Sequence, residues 1–448
     1  KKSLSKYIPS VVIVGVRVDP KKMLCILDLT TPKGHLYKTM INKKITFKIY
    51  TFGCKVNQYT SSLLRENLEE IGLKYSDEKP DYIIVNMCSL TNNAVRKSRL
   101  LINRIKREEP NSEIILSGCF EEDIDIDCYR KIHTREREKI YEIFKKDHKN
   151  IEYLSEFHDH SRAFVMIQEG CKNFCSYCIV PLMRNKMYSK PINLFKKEIE
   201  FIAGNGYKEI VLTGTHINKY SYKGKGLSDI IKIIEKNPDI QRFRISSIEP
   251  DDINDEFINA ISNSKKFAPH LHLSLQSADN RILGLMKRNY KVEKIKELIS
   301  TLKDKIERFE FSVDIIAGFP GETKEEFNQS VKFIKENKPI LVHAFPFSKR
   351  KRTKAYDMKE YLTNKEKKER ASQLRDVQAH VLKKYLQKYI NSTLSVLVEK
   401  YEYEFYTGYS ENYIKVYIKN SNQRPIEGSI QKVKIEEVYK DGLKGSFK

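Results

Sequence analysis

No run of apolar residues in this 448-residue chain approaches the roughly 18 that a membrane-spanning helix needs. The chain therefore reads as soluble, cytoplasmic and without a membrane partner. Lys1, Lys2 and Lys6 precede an apolar stretch in the manner of a leader peptide, but Pro9 interrupts it and no small-residue cleavage site follows. Val11 to Val18 is read as a strand instead. Cysteine is scarce: eight residues, unevenly placed, exclude a secreted disulfide scaffold and favour metal or redox use in a reducing compartment. Acidic residues are in deficit, 59 against 82 lysines and arginines, and the net charge of +23 favours a polyanionic partner such as nucleic acid. Tryptophan is absent while Tyr, Asn and Lys abound, so a generally lysine-rich, solvated surface is the plain alternative. The length leaves room for two or three domains with substantial cores.

What is present centres on Gln168 to Cys178, where Cys171, Cys175 and Cys178 are separated by three and then two residues. This spacing lets a short loop wrap three thiolates round one face of a metal centre. A closed structural zinc site would add a fourth Cys or His at short spacing, and none follows Cys178 closely. The triplet thus favours an iron-sulfur cluster with one open position over a zinc loop or a chance group of buried cysteines.

Residues 1–44 hold two apolar runs, Val11 to Val18 and Met23 to Leu29, and have no assignable role; Cys25 reads as a small buried hydrophobe. From Ile45, β-branched runs alternate with helical stretches: strands over Ile45 to Phe52, Asp81 to Met87 and Glu113 to Ser117, a helix over Gln58 to Ile71, and a basic helix ending near Lys106. Such βα repeats build parallel sheets covered on both faces. Cys54, Cys88 and Cys119 each lie where a strand gives way to a loop. In an open parallel sheet the carboxyl ends share one edge, where ligands bind, so the three thiols are expected to converge into a second cluster site. Three unrelated buried thiols are the alternative. Cys128 falls outside this register. Residues 120–162 read as a charged helical connector.

Six further strands are predicted at Arg162 to Gln168, Glu209 to Leu212, Arg242 to Ile248, His270 to Leu275, Glu310 to Ile316 and Ile340 to Phe345. Alternation with helices makes this a complete or partial βα barrel, whose chemistry sits at the carboxyl ends of the strands. Thr213 to His216, Ser246 to Pro250, Gln276-Ser277 and Gly318 to Glu322 crown that face. Gly214, Gly318 and Gly321 would let the backbone approach a ligand. The run Lys349, Arg350, Lys351, Arg352 follows the last barrel strand and would meet phosphates, unless it is merely a solvated loop. One helix is expected over Asn364 to Tyr389, crossing back over the barrel. After Ser392, four short strands, Leu394 to Val398, Tyr403 to Thr407, Tyr413 to Ile418 and Val433 to Val438, form a small all-β module. Its tyrosines and lysines suit RNA contact, or fill its own core.

These residues resemble the methylthiotransferases of the radical S-adenosylmethionine (SAM) superfamily over about residues 45–448. The resemblance rests on the three-cysteine N-terminal sheet, the Cys171, Cys175, Cys178 loop, and a C-terminal module similar to TRAM domains, whose signature is seen as Gly408 to Val416. Thr51 to Gln58, Thr-Phe-Gly-Cys-Lys-Val-Asn-Gln, looks most like the subgroup acting on N6-threonylcarbamoyladenosine 37 of tRNA. The implied fold class is α/β, with an N-terminal parallel α/β sheet at 45–150, a partial (β/α)6 barrel with its trailing helix at 151–390, and a TRAM-like barrel at 391–448. The resemblance implies a [4Fe-4S] cluster on the catalytic Cys171, Cys175 and Cys178, chelated by SAM, and an auxiliary [4Fe-4S] cluster on Cys54, Cys88 and Cys119 that supplies sulfur. It implies SAM contacts from Tyr177, Thr213, Gly214, Ser247, Glu249, Gln276, Gly318 and Gly321. Partners would be tRNA, met by Lys349, Arg350, Lys351, Arg352 and Lys415, and a reductant protein such as flavodoxin or ferredoxin; the chain would be a monomer. Breaking an unactivated aromatic C–H bond requires such cofactor chemistry. The same chemistry on isopentenyladenosine 37 or on a ribosomal-protein aspartate, a non-catalytic iron-sulfur RNA binder, and a zinc-ribbon-like RNA binder are the alternatives. Asn185, Ala278 and Arg352 stand where the family commonly has glycine.

Overall fold

The computed structural model describes residues 24–28, 35–39, 44–121, 124–144, 151–157, 160–419 and 425–448. The expected strand Val11 to Val18 lies outside the described residues. Within the apolar run Met23 to Leu29, Leu24–Asp28 is a strand that pairs antiparallel with His35–Thr39. The side chain of Cys25 is outside the description.

From residue 46 the chain builds a parallel sheet. Strands β1 (Thr46–Thr51), β2 (Tyr82–Cys88), β3 (Glu113–Cys119) and β4 (Arg130–His133) lie side by side in that order, with the two-residue strand Lys74–Tyr75 at the outer edge of β1. In β2 and β3 successive side chains feed two separate cores, Ile83, Val85, Ile114 and Leu116 on one face and Ile84 and Ile115 on the other, as strand alternation requires. Helices α1 (Lys55–Glu70) and α2 (Asn92–Glu108) pack on the sheet. The connector expected to be helical instead contributes β4, and only then the short helix Lys139–Ile143. The buried Ile124, Ile126, Ile132, Ile140 and Phe144 are interleaved with charged residues at spacings that follow no single period.

Six parallel strands follow: β5 (Ala163–Glu169), β6 (Glu209–Gly214), β7 (Arg242–Ile245), β8 (His270–Gln276), β9 (Glu310–Ala317) and β10 (Leu341–Pro346). The expected strand Arg242 to Ile248 is split at Ser246. Its first part pairs with β6, whereas Ser247–Ile248 pairs with β8, so the six strands curve as two sheets of an open barrel around one large core. A capping box starts the long helix Asn364–Tyr385, Thr363 Oγ1 accepting from the Glu366 amide and Glu366 Oε2 from the Thr363 amide. It lies on β10, with Leu374 buried, and a 3-10 turn, Leu386–Tyr389, ends it earlier than predicted.

The C-terminal module is a closed five-stranded barrel, β11 (Thr393–Glu402), β12 (Phe405–Ser410), β13 (Lys415–Lys419), β14 (Ile430–Tyr439) and β15 (Gly442–Phe447). The sequence shows four of these strands. It docks on the amino ends of the larger barrel's strands. There the buried Glu209 binds Arg162, Arg242 and Arg244, and the last two donate onward to the carbonyls of Ser395 and Ser410 at 2.8 and 2.7 Å. Tyr413 stacks on His270 with ring centres 4.6 Å apart. Among the described residues no helix is long and apolar enough to cross a membrane.

Candidate active site

The three N-terminal cysteines sit at the carboxyl edge of their sheet. Cys88 and Cys119 are the last residues of β2 and β3 and stand in register, while Cys54 precedes α1. Two glycines close this edge. Gly53 (φ 101°) and Gly118 (φ 106°) are left-handed, and a Cβ on them would come within 2.5 Å of Cys88 Cβ and 2.4 Å of the Met87 carbonyl respectively. The thiols are unbonded, Cys54 exposed and the others buried. Burial pushes Cys88 up to about 12, and the fields of Cys54 and Cys119 add to it.

In the second trio, Cys171, Cys175 and Cys178 leave the end of β5. Burial pushes Cys178 up to about 12, with Cys175 and Cys171 adding to the shift. Positive groups face these sulfurs. Arg288 Nη1 donates to Cys175 Sγ at 3.3 Å, itself held by Glu249. His216 Nδ1 lies 3.6 Å from Cys171 Sγ, and its Nε2 is 2.5 Å from Asp252 Oδ2. Burial works against its charge, yet the hydrogen bonds to Asp252 and Cys171 hold His216 up at about 9.

The two trios adjoin. Cys119 packs with Ile179, which follows Cys178, and with Met183 at the end of the next helical turn. Arg184 is buried between them: its Nε donates to Cys119 Sγ at 3.1 Å, its Nη2 to Asn57 Oδ1 at 2.5 Å, and its Nη1 pairs with Glu169 beside the second loop. Asn57 in turn donates to the carbonyls of Phe52 and Met87 at 2.9 and 3.1 Å. The Lys-Val-Asn-Gln stretch is thus a brace between the cysteine-bearing loops.

The other predicted residues are more scattered. Tyr177 is edge-on to Phe319 in a small apolar cluster. Thr213 is buried, and Gly214 lies so close to Gln168 that a Cβ would be 3.0 Å from its carbonyl. Beside them Thr215 Oγ1 and Ser246 Oγ are buried with no partner among the described residues, which leaves hydrogen-bonding capacity for a polar ligand. Ser247 faces a cavity of about 690 Å³. Gln276 takes φ 65° at a bulge in β8. Gly318 donates to Glu322 Oε2 at 2.8 Å, and its Cβ direction is filled by Lys367, so that face meets protein and not ligand. The Gly321 carbonyl accepts from Arg281 at 2.6 Å. Of the basic residues, Lys349, Lys351 and Arg352 are exposed. Arg350 differs from the sequence expectation of a phosphate contact: it is buried, and its Nε donates to the Leu90 carbonyl at 3.2 Å. Lys415 lies over Tyr417 at 4.8 Å and reaches Asp441 at 3.2 Å.

Sequence reasoning missed Arg184, Arg288 and the His216–Asp252 pair. His216 stands at a predicted strand end, but nothing local marks its distant partner. Among the described residues no three His, Cys, Asp or Glu side chains close on a single metal ion. Two all-thiol trios with cationic donors at their sulfurs, and orphaned hydroxyls at the neighbouring strand ends, do fit iron-sulfur ligation with a polar cofactor beside it.

Comparison with known proteins agrees. Residues 165–334 match the radical SAM superfamily and residues 46–137 the uncharacterized protein family UPF0004. The threonylcarbamoyladenosine tRNA methylthiotransferase MtaB of Chlamydia pneumoniae is 33% identical over 91% of this chain and 100% of its own length. That of Thermotoga maritima is 32% identical over 89% and 96%. The tRNA-2-methylthio-N(6)-dimethylallyladenosine synthase of Clostridium tetani is 33% identical over 80% and 86%. The radical SAM methyltransferase TsrM from Kitasatospora setae shares the fold, with a TM-score of 0.53 at 12% identity over 70% of this chain and 77% of that one. With its radical SAM segment, its cysteine-bearing N-terminal sheet and relatives of this identity along nearly its whole length, this chain belongs to the radical SAM methylthiotransferase family, most like its threonylcarbamoyladenosine tRNA methylthiotransferase subgroup.

Proposed function

We propose that the chain transfers a methylthio group to C2 of N6-threonylcarbamoyladenosine at position 37 of tRNA in the cytoplasm, using SAM and two [4Fe-4S] clusters. Cys171, Cys175 and Cys178 would hold one cluster, Cys54, Cys88 and Cys119 the other, with residues 45–150, 151–390 and 391–448 as auxiliary, radical and RNA-binding units. When bound, these groups supply the 5′-deoxyadenosyl radical and the sulfur that is transferred.

The protein's own residues prepare and separate the two sites. Buried thiols stay protonated on their own, so ligation displaces protons that burial has made hard to lose. Arg288 and His216 offset the negative charge that results at Cys175 and Cys171, and Arg184 does so at Cys119. Thr215 and Ser246, both unpartnered, offer hydroxyls to the cofactor. Phe405, Tyr417 and Tyr439, interleaved with Lys415, Lys440 and Lys444 on the C-terminal barrel, offer a stacking and charged face to RNA.

The observation that carries this reading is Arg184, one side chain bonded to a cysteine of one trio and to the strand that presents the other. The threonylcarbamoyl substrate is taken from the relatives in Chlamydia pneumoniae and Thermotoga maritima; the relative in Clostridium tetani favours dimethylallyladenosine as a second reading. Two measurements test the proposal. Anaerobically reconstituted protein should bind about eight iron atoms, falling to about four in Cys54→Ala. Nucleosides of tRNA from cells lacking the gene should lose 2-methylthio-N6-threonylcarbamoyladenosine. An unchanged iron content in Cys54→Ala would remove the auxiliary site, and an unchanged nucleoside profile would remove the substrate.

A further inference from the structure

The cavity of about 690 Å³ runs from Cys54 into the barrel interior and ends at the C-terminal module. Its wall is polar. His272 Nε2 pairs with Asp314 Oδ1 at 3.0 Å, and the His343 ring stands 5.1 Å from that of His272 and stacks on Phe345. His343 is exposed along this wall, so its ring nitrogens are open to a ligand.

The cations on this wall are not equivalent. Arg162 and Arg244 share the carboxylate of Glu209, and Lys400 pairs with Glu402. Lys55 also lines the cavity, next to Cys54, and among the described residues it has no carboxylate or carbonyl partner. Lys55 is of intermediate exposure, and a cation that faces a cavity without a counter-charge is open to an arriving anion. A threonylcarbamoyl group carries a carboxylate, whereas a dimethylallyl group is wholly apolar and has nothing to pair with an ammonium.

We infer that Lys55 is a specificity-determining residue that pairs with the carboxylate of the substrate's threonyl group, with His343 and the His272–Asp314 pair bonding its remaining polar atoms. This rests on the methylthiotransferase reading above and adds a means of choosing between modified adenosines. The choice works in both directions: an apolar substituent would displace water from Lys55 and His343 without replacing its hydrogen bonds, which penalises the wrong adenosine as well as favouring the right one.

The test compares holoenzyme binding to anticodon stem-loop RNAs that carry N6-threonylcarbamoyladenosine, its methyl ester, or isopentenyladenosine. Wild-type protein should bind the free acid on the order of ten- to a hundred-fold more tightly than the ester, the range of one charge-assisted contact. Lys55→Gln should bind the acid as weakly as the ester and no longer tell them apart, with iron content and the reduced-cluster electron paramagnetic resonance spectrum kept. Equal wild-type affinity for acid and ester would overturn the inference. So would a Lys55→Gln protein that loses affinity equally for all three RNAs, which would mark a phosphate contact, or one with an altered cluster spectrum, which would mark a role at Cys54. Turnover of the same RNAs separates this from the proposed function: no methylthiolated product from any of them would sink that function, whereas product from acid and ester alike would sink only the role of Lys55.

Discussion

Arg352 shows how a single residue carries a cost that the sequence hints at and the backbone explains. It occupies φ 67°, the left-handed region, where a side chain costs about 1–2 kcal/mol. Asn185 and Ala278, the other positions where the family commonly has glycine, are not among the residues with positive φ. Arg352→Gly should therefore stabilise the protein by about 0.5–1 kcal/mol after the extra chain entropy of glycine is subtracted. The measurement is the denaturant midpoint, and a lower midpoint would mean that the arginine makes contacts worth more than its strain. At this scale the cysteines were legible because residue type and spacing alone define a ligand set. Arg184 and Arg288 were not, because each acts on a sulfur brought near by folding, 65 and 113 positions away along the chain.

Elements were legible where apolar residues repeat with the period of a strand or helix, and illegible where backbone approach decides. β15 is missing from the strands read in the sequence because Gly442 and Gly445 interrupt it. A Cβ at those positions would lie 2.2 Å from the Lys415 carbonyl and 2.1 Å from the Lys434 carbonyl, so tight barrel closure demands the very residues that hide the strand. The docking of that barrel was equally hidden, since the buried carboxylate at its centre gathers arginines from distant strands. Although burial works to raise it, the guanidinium groups of Arg242, Arg244 and Arg162 hold Glu209 well below its usual value of 4.5. A depressed carboxylate contributes stability that is fully present above 4.5 and fades only as the pH falls through its lower folded value. The module should thus stay docked from pH 7 down to about 5. Glu209→Ala, which leaves three arginines without their shared partner, should cost about 3–5 kcal/mol. Limited proteolysis reads this as release of a fragment beginning near Thr393, and a variant as protease-resistant as the wild type would show that the apolar packing of Ile340, Leu386 and Tyr389, with the stacking of Tyr413 on His270, holds the module without Glu209.

Across the whole molecule the net charge of +23 is the largest fact that composition supplies, and the fold divides its use. The basic run after β10 looked uniform along the chain. In the folded protein Lys349, Lys351 and Arg352 face solvent, while Arg350 turns inward to the loop just beyond Cys88. The two kinds of residue should separate in one experiment on tRNA binding across a salt series. A phosphate contact releases counterions, so each one lost flattens the plot of log affinity against log salt by about 0.7–0.9. The double variant Lys349→Ala, Lys351→Ala should flatten that slope by about one to two while leaving the unfolding midpoint near the wild-type value. Arg350→Ala should keep the slope and instead lose about 1–3 kcal/mol of stability, because the packing of a buried side chain and its charge-assisted bond to the Leu90 carbonyl are lost. If Arg350→Ala flattened the slope as the double variant does, the run would act as one phosphate-binding segment that rearranges when RNA arrives. If neither variant changed it, the charge that draws in tRNA would have to lie elsewhere, with the lysines around Tyr417 and Tyr439 on the C-terminal barrel as the next surface to neutralise.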